Sequence, residues 1–177
     1  TTRPIFRPFS PSSNPSRTFP SLTYILNNAN VPPGISSGLY TAENLPNVTR
    51  TLNFRVTLRD NRAGGGAFSD DHIVLNVDGN SGPFLVTSPN TAVSVPAGSL
   101  QTVTWSVNNT NQAPVNCTNV KISLSTDGGQ TFPYVLAAST PNEGSANVVL
   151  PSLTSTTTTA RIKVEAVGNV FFDISGA

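Results

Sequence analysis

The apolar positions fall into short alternating runs instead of helical stripes. Between 51 and 59, Leu52, Phe54, Val56 and Leu58 alternate with Asn53, Arg55, Thr57 and Arg59. This is the period of two that puts one strand face on a core and the other in water. Ile73, Leu75 and Val77 repeat it after a loop carrying Gly64, Gly65 and Gly66, so the two runs read as adjacent antiparallel strands of a long hairpin. The same phase turns His72 away from the Ile73/Leu75/Val77 face, the placement of an exposed histidine and not of a catalytic one. Ahead of the hairpin, prolines at 4, 8, 11, 15, 20, 32 and 33 disfavour central strands and long helices. Extended edge segments are expected there, with Phe6, Phe9, Phe19 and the 22–26 stretch dipping into a core. That stretch fits either a strand or one helical turn, being too short for its period to decide.

Gly79-Asn-Ser-Gly-Pro83 is a compact breaker, and beyond it the runs become shorter and evenly spaced. Strands are predicted at 84–87, 92–95, 101–107, 119–125, 132–137, 146–150, 159–166 and 170–174. That density of strands over some ninety residues is the pattern of an immunoglobulin or fibronectin-like sandwich. The expected fold is therefore all-β: two tandem immunoglobulin/fibronectin-like β-sandwich modules, 1–80 and 84–177, joined at 79–83. Val103, Trp105 and Val107 share one phase, which makes Trp105 the core tryptophan of the second module in preference to an exposed sugar platform.

Composition narrows the function. At 177 residues the chain exceeds one sandwich of about 100 residues. With 37% hydrophobic and only 11% charged residues, its surface is built from Ser, Thr and Asn, which suits a secreted or cell-surface β protein. A net charge of +1, from ten basic and nine acidic residues, leaves no electrostatic footprint for nucleic acid or an anionic membrane. Cys117 is the single cysteine and His72 the single histidine, so neither an internal disulfide nor a zinc-ligand cluster is expected. No apolar run approaches the ~18 residues of a membrane span. The start at Thr1, with no signal peptide, is expected of a processed or excised fragment.

Several motifs bear on chemistry. Ser125-Thr-Asp-Gly-Gly-Gln-Thr-Phe132 matches the Asp-box pattern. Asp127 would accept backbone N–H bonds, Gly128 or Gly129 would supply positive φ, and Phe132 would fold under the hairpin. A single copy favours a structural turn over a sialidase-like hydrolase. Asp60, Asp70 and Asp71, with Asn61, flank the Gly-rich loop and are the candidate ligands of a structural calcium ion. The loop lacks an EF-hand pattern, and acidic residues also serve simply to cap and bend turns. Glu43, Asp78, Glu143, Glu165 and Asp173 are expected in turns or on polar strand phases, which favours no acid/base pair. Lys121 and Lys163 are out of phase with the core, against an isopeptide crosslink. Asn47, Asn108 and Asn116 begin glycosylation patterns of the kind that arise by chance in an Asn- and Thr-rich chain.

Several stretches resemble the region that follows the catalytic domain in secreted bacterial reprolysin-like zinc metalloproteases. They are Arg17-Thr-Phe-Pro20, the 50–66 segment, Gly82-Pro-Phe-Leu-Val-Thr-Ser-Pro-Asn90, Val103-Thr-Trp105, Leu124-Ser-Thr-Asp-Gly-Gly129 and Val167-Gly-Asn-Val-Phe-Phe-Asp-Ile-Ser175. The resemblance implies an upstream protease domain as partner, a first module that begins before Thr1 and a final strand after Ala177. It carries over no catalytic residue, because no His-Glu pair is present. The expected function is a non-catalytic accessory or spacer region that orients the protease domain or engages extracellular protein or polysaccharide. The alternative is a carbohydrate-binding or adhesin-type module using Tyr24, Tyr40 and Tyr134.

Overall fold

The computed structural model describes Phe6 and residues 16–29 and 43–176; Phe9, Tyr40 and the prolines at 4, 8, 11, 15, 32 and 33 lie outside the described residues. Among the described residues the chain is all-β apart from one helical turn, α1 (Leu22–Leu26). Its C-terminal end decides between turn and strand. Asn28 takes the left-handed conformation (φ 54°), the Asn28 N–H donates to Ile25 O, and the Ala29 N–H donates to Tyr24 O at 2.8 Å. These are the two bonds that stop a helix on a left-handed residue.

The first sheet is the hairpin of β1 (Arg50–Arg59) and β2 (Phe68–Val77). Its register pairs Leu52 with Leu75, Phe54 with Ile73 and Val56 with Asp71. Paired residues share a face, so the apolar alternation of the two strands lies on one side as expected. Cover is a different matter. Phe54 meets the rings of Phe6 and Phe19 at centroid separations of 5.1 and 6.4 Å, but its partner Ile73 is exposed, and nearer the tip Val56 is exposed and Leu58 is 68% exposed. The expectation that this whole face is core is corrected: only its base is covered. A two-stranded ribbon brings no second sheet of its own, and the described cover is two aromatic rings.

The remaining strands form a sandwich. β3 (Leu85–Ser88), β4 (Leu100–Ser106) and β7 (Ser145–Val149) make a three-stranded sheet in that order. β6 (Tyr134–Pro141), β5 (Asn119–Ser125), β8 (Arg161–Ala166) and β9 (Phe172–Ile174) make a four-stranded one. Between the sheets Phe84, Val86, Val103, Trp105, Val120, Ile122, Leu124, Val148, Ile162 and Val164 close a single core. Each such side chain contributes about 1.5–3 kcal/mol by leaving water. Trp105 is 3% exposed, in the core as its phase predicts. The strand expected at 92–95 does not form. Val93 is exposed, so its phase meets no core, and Pro89 and Pro96 on either side lack the N–H that would extend a ladder.

The junction between hairpin and sandwich is itself folded. The Asp78 carboxylate accepts from the Ser81 hydroxyl (2.6 Å), the Asn80 N–H (3.3 Å) and the Thr49 hydroxyl (3.4 Å). These bonds, Ser81 first, hold its pKa below the ordinary carboxylate range. On the sandwich side Asn108, in a left-handed conformation at φ 44°, accepts from the Gly82 N–H at 2.8 Å, and its amide donates to Pro83 O at 2.5 Å. The Asn109 amide reaches Asn80 O at 3.4 Å. Gly79 lies against the backbone of Val48 and Thr49, where an added Cβ would fall 2.8 Å from Thr49 N.

Candidate functional site

The hairpin tip is the candidate surface. At the tip Val56 and Leu58 are exposed on one face and Phe68 (65% exposed) on the other, and farther down the hairpin Ile73 and Val74 are exposed as well, one on each face. Exposed large apolar side chains grouped on one element mark contact surfaces more often than scattered ones do. Around them the polar residues are engaged. Arg55 Nε lies 3.0 Å from Asp70 Oδ2, and His72 Nε2 lies 3.1 Å from the same oxygen. His72 is therefore on the polar face, as its phase predicts, and bound to a carboxylate there.

The three candidate calcium ligands have separate tasks. Asp60 Oδ1 accepts from the Arg62 and Ala67 N–H groups, both at 3.1 Å, and closes the Gly-rich loop. Those bonds, Arg62 first, lower its pKa. Asp70 faces Arg55 and His72, whereas Asp71 pairs with Val56 on the opposite face and accepts from the His72 N–H at 2.8 Å. Among the described residues no three of His, Cys, Asp and Glu gather as a metal-binding group.

The 125–132 turn is held by short bonds between near neighbours. Ser125 Oγ donates to Asp127 Oδ1 at 2.7 Å and accepts from the Gly129 N–H at 2.8 Å. Asp127 accepts from the N–H groups of Gln130 and Thr131 and from the Thr131 hydroxyl. The Ser125 hydroxyl first, then that of Thr131, hold the Asp127 carboxyl well below the usual range. Gly128 and Gly129 take φ of 77° and 91°. Phe132 is half-buried, with Lys163 Nζ 5.6 Å from its ring. Lys163 and Lys121 both pair with Glu165 on the outer side of the four-stranded sheet.

Two acids expected in turns or on polar phases are buried instead. Glu43 is fully buried and paired with Arg17, whose guanidinium lies over the Phe19 ring. Asp173 is on the inner face of β9, where Oδ2 accepts from the Val86 N–H at 2.7 Å and ties β9 to β3. Asn142, which the sequence pattern does not single out, accepts from Trp105 Nε1–H at 2.8 Å and donates to Thr110 Oγ1 and Cys117 O. Cys117 is buried, its thiol donates to Asn119 O, and burial pushes its pKa up, which leaves it unreactive. Tyr24 and Tyr134 are both half-buried. No helix among the described residues is long and apolar enough to cross a membrane. No family model, curated protein or solved structure matches the chain.

Proposed function

We propose that this chain is a non-catalytic accessory region of a secreted metalloprotease, orienting the catalytic domain upstream of it. The observation that carries the reading is the apolar hairpin tip presented on a braced base. Val56, Leu58 and Phe68 at the tip are exposed, as are Ile73 and Val74 lower on β2, while the hydrogen bonds of Asp78, Asn108 and Asn109 hold the hairpin to the sandwich. A spacer needs stiffness at the joint and a contact surface at the end, and it needs no reactive group. The metalloprotease context comes from the ordered stretches that resemble the region following such catalytic domains. The surface of hydroxyl and amide side chains suits a secreted protein.

The test is made in the longer secreted protein. Replacing Leu58 and Phe68 by Lys leaves the ion pairs of the hairpin intact but makes its tip polar. Loss of stability or of large-substrate cleavage, with small-peptide cleavage retained, is the expected outcome. Unchanged secretion, stability and large-substrate cleavage, both in this variant and after deletion of the whole region, would sink the reading.

A further inference from the structure

At one end of the sandwich the connection from β7 to β8 crosses the strand ends of β5 and β6. Between them lies an open cavity of about 340 Å³, lined by Thr126, Tyr134, Leu153 and the hydroxyl-bearing run 154–159. The loop is fixed from beneath. Thr157 and Thr159 both donate their hydroxyls to Thr126 O, at 3.2 and 2.8 Å, and Thr159 O accepts from the Gly128 N–H. Thr154, Ser155, Thr156 and Thr158 are exposed, and no hydrogen bond from another described residue engages their hydroxyls. Tyr134 borders the cavity and packs against the core along part of its surface.

Each of these features constrains the ligand. Every lining side chain is uncharged, so nothing in the groove compensates the desolvation of an ion, and a neutral molecule is selected. Free hydroxyls donate and accept alike, which matches the vicinal hydroxyls of a sugar. Hydroxyl groups form nearly all of the groove's surface, Tyr134 bordering it, so recognition rests on hydrogen bonds. The cavity sits at the lower end of ligand-pocket sizes, with room for roughly one to two pyranose rings. We propose that this groove is a binding subsite for a neutral saccharide. This goes beyond the accessory role, stands whether or not that role holds, and adds a means of anchoring the chain to polysaccharide.

The experiment is a ¹⁵N NMR titration of the full chain with cellohexaose and with chitohexaose, a heparin-derived hexasaccharide serving as the anionic control. Saturable shifts confined to the amides of Thr126, Tyr134 and 153–159 are expected with at least one neutral hexasaccharide, and not with the control. Tyr134→Phe keeps the ring and should retain affinity within about twofold, whereas Thr156→Val with Thr158→Val should weaken it about tenfold. Both threonines are exposed, so this pair leaves the core intact. Any of three results overturns the proposal: no groove shift at about 10 mM of either neutral probe, an equal shift with the anionic control, or undiminished affinity in the double valine variant.

Discussion

Replacing Asn142 by Ala tests how much of the sandwich depends on one buried amide. Asn142 is 1% exposed and serves three groups: it accepts from Trp105 Nε1–H and donates to Cys117 O and Thr110 Oγ1. Thr110 keeps a bond, since its hydroxyl donates to Val107 O at 2.6 Å. Trp105 Nε1–H and Cys117 O do not. At about 1–3 kcal/mol for each buried group left without a partner, Asn142→Ala should cost about 2–6 kcal/mol. That is a large share of the roughly 5–15 kcal/mol that holds a domain folded. Urea unfolding followed by the fluorescence of Trp105, the chain's one tryptophan, reads the loss directly. Trp105→Phe, followed by circular dichroism, removes the donor instead. The cycle completed by the double variant should show a coupling of about 1–2 kcal/mol between the two sites. A loss below about 1 kcal/mol for Asn142→Ala, or an additive cycle, would refute the claim that this amide organises the core.

Three further outcomes are expected. Burial raises the Asp173 pKa from the ordinary 3.8, against the Val86 N–H bond, which favours the ionised form. Its contribution to stability is therefore full below that value and is lost as pH rises through the folded pKa. Asp173→Asn keeps an acceptor for Val86, so it should melt with the native chain near pH 3 and above it near pH 7; identical midpoints at both would remove the argument. Gly79→Ala drives a Cβ to 2.8 Å from Thr49 N and 3.0 Å from Val48 Cα. Both are backbone atoms, so the change should cost about 1–3 kcal/mol and loosen the hairpin from the sandwich. Unchanged melting with unchanged small-angle scattering would count against the braced joint. Calcium added to chelator-treated protein should leave the melting temperature in place, because Asp60, Asp70 and Asp71 each already accept hydrogen bonds from the protein. A saturable rise abolished by Asp60→Ala would instead show the hairpin gathering these carboxylates around the ion.

How far each feature could be read from the sequence depends on the distance to its partners. Alternation placed β1, β2, β4, β5 and β8, because the period of two is a local property. It could not say what covers a face, and so the hairpin tip, with Val56 and Leu58 in correct phase, is nonetheless exposed. The role of Asp127 could be anticipated because Ser125, Gln130 and Thr131 all lie within four residues of it. Arg17 and Glu43 are 26 residues apart, Trp105 and Asn142 are 37 apart, and Val86 and Asp173 are 87 apart. No local pattern signals that an acid or an amide will meet a donor so far along the chain. These polar residues read in the sequence as ordinary turn or surface groups, and only the folded chain assigns them a task.

The same reasoning explains how a hairpin with little core of its own is held in place. Phe19 stacks on Phe54 of the hairpin, and three residues later the chain enters α1, in which Ile25 is buried and which lies against β9. Leu26 sits over Gly129, where a Cβ would fall 2.4 Å from Leu26 Cδ2, so the glycine leaves the space the leucine fills. Ile174 pairs with Lys163 on the outward side of β9 yet is only 3% exposed. Cover by α1 accounts for that burial and also shields a short edge strand from stray pairing. The 17–29 segment thus touches the hairpin with one end and the sandwich with the other, while the 78–83 turn joins them a second time. A ribbon tied at two separate points resists the bending and twisting that a single linker permits. An apolar tip can orient a neighbouring domain only if its own direction is fixed, and the two ties supply that condition.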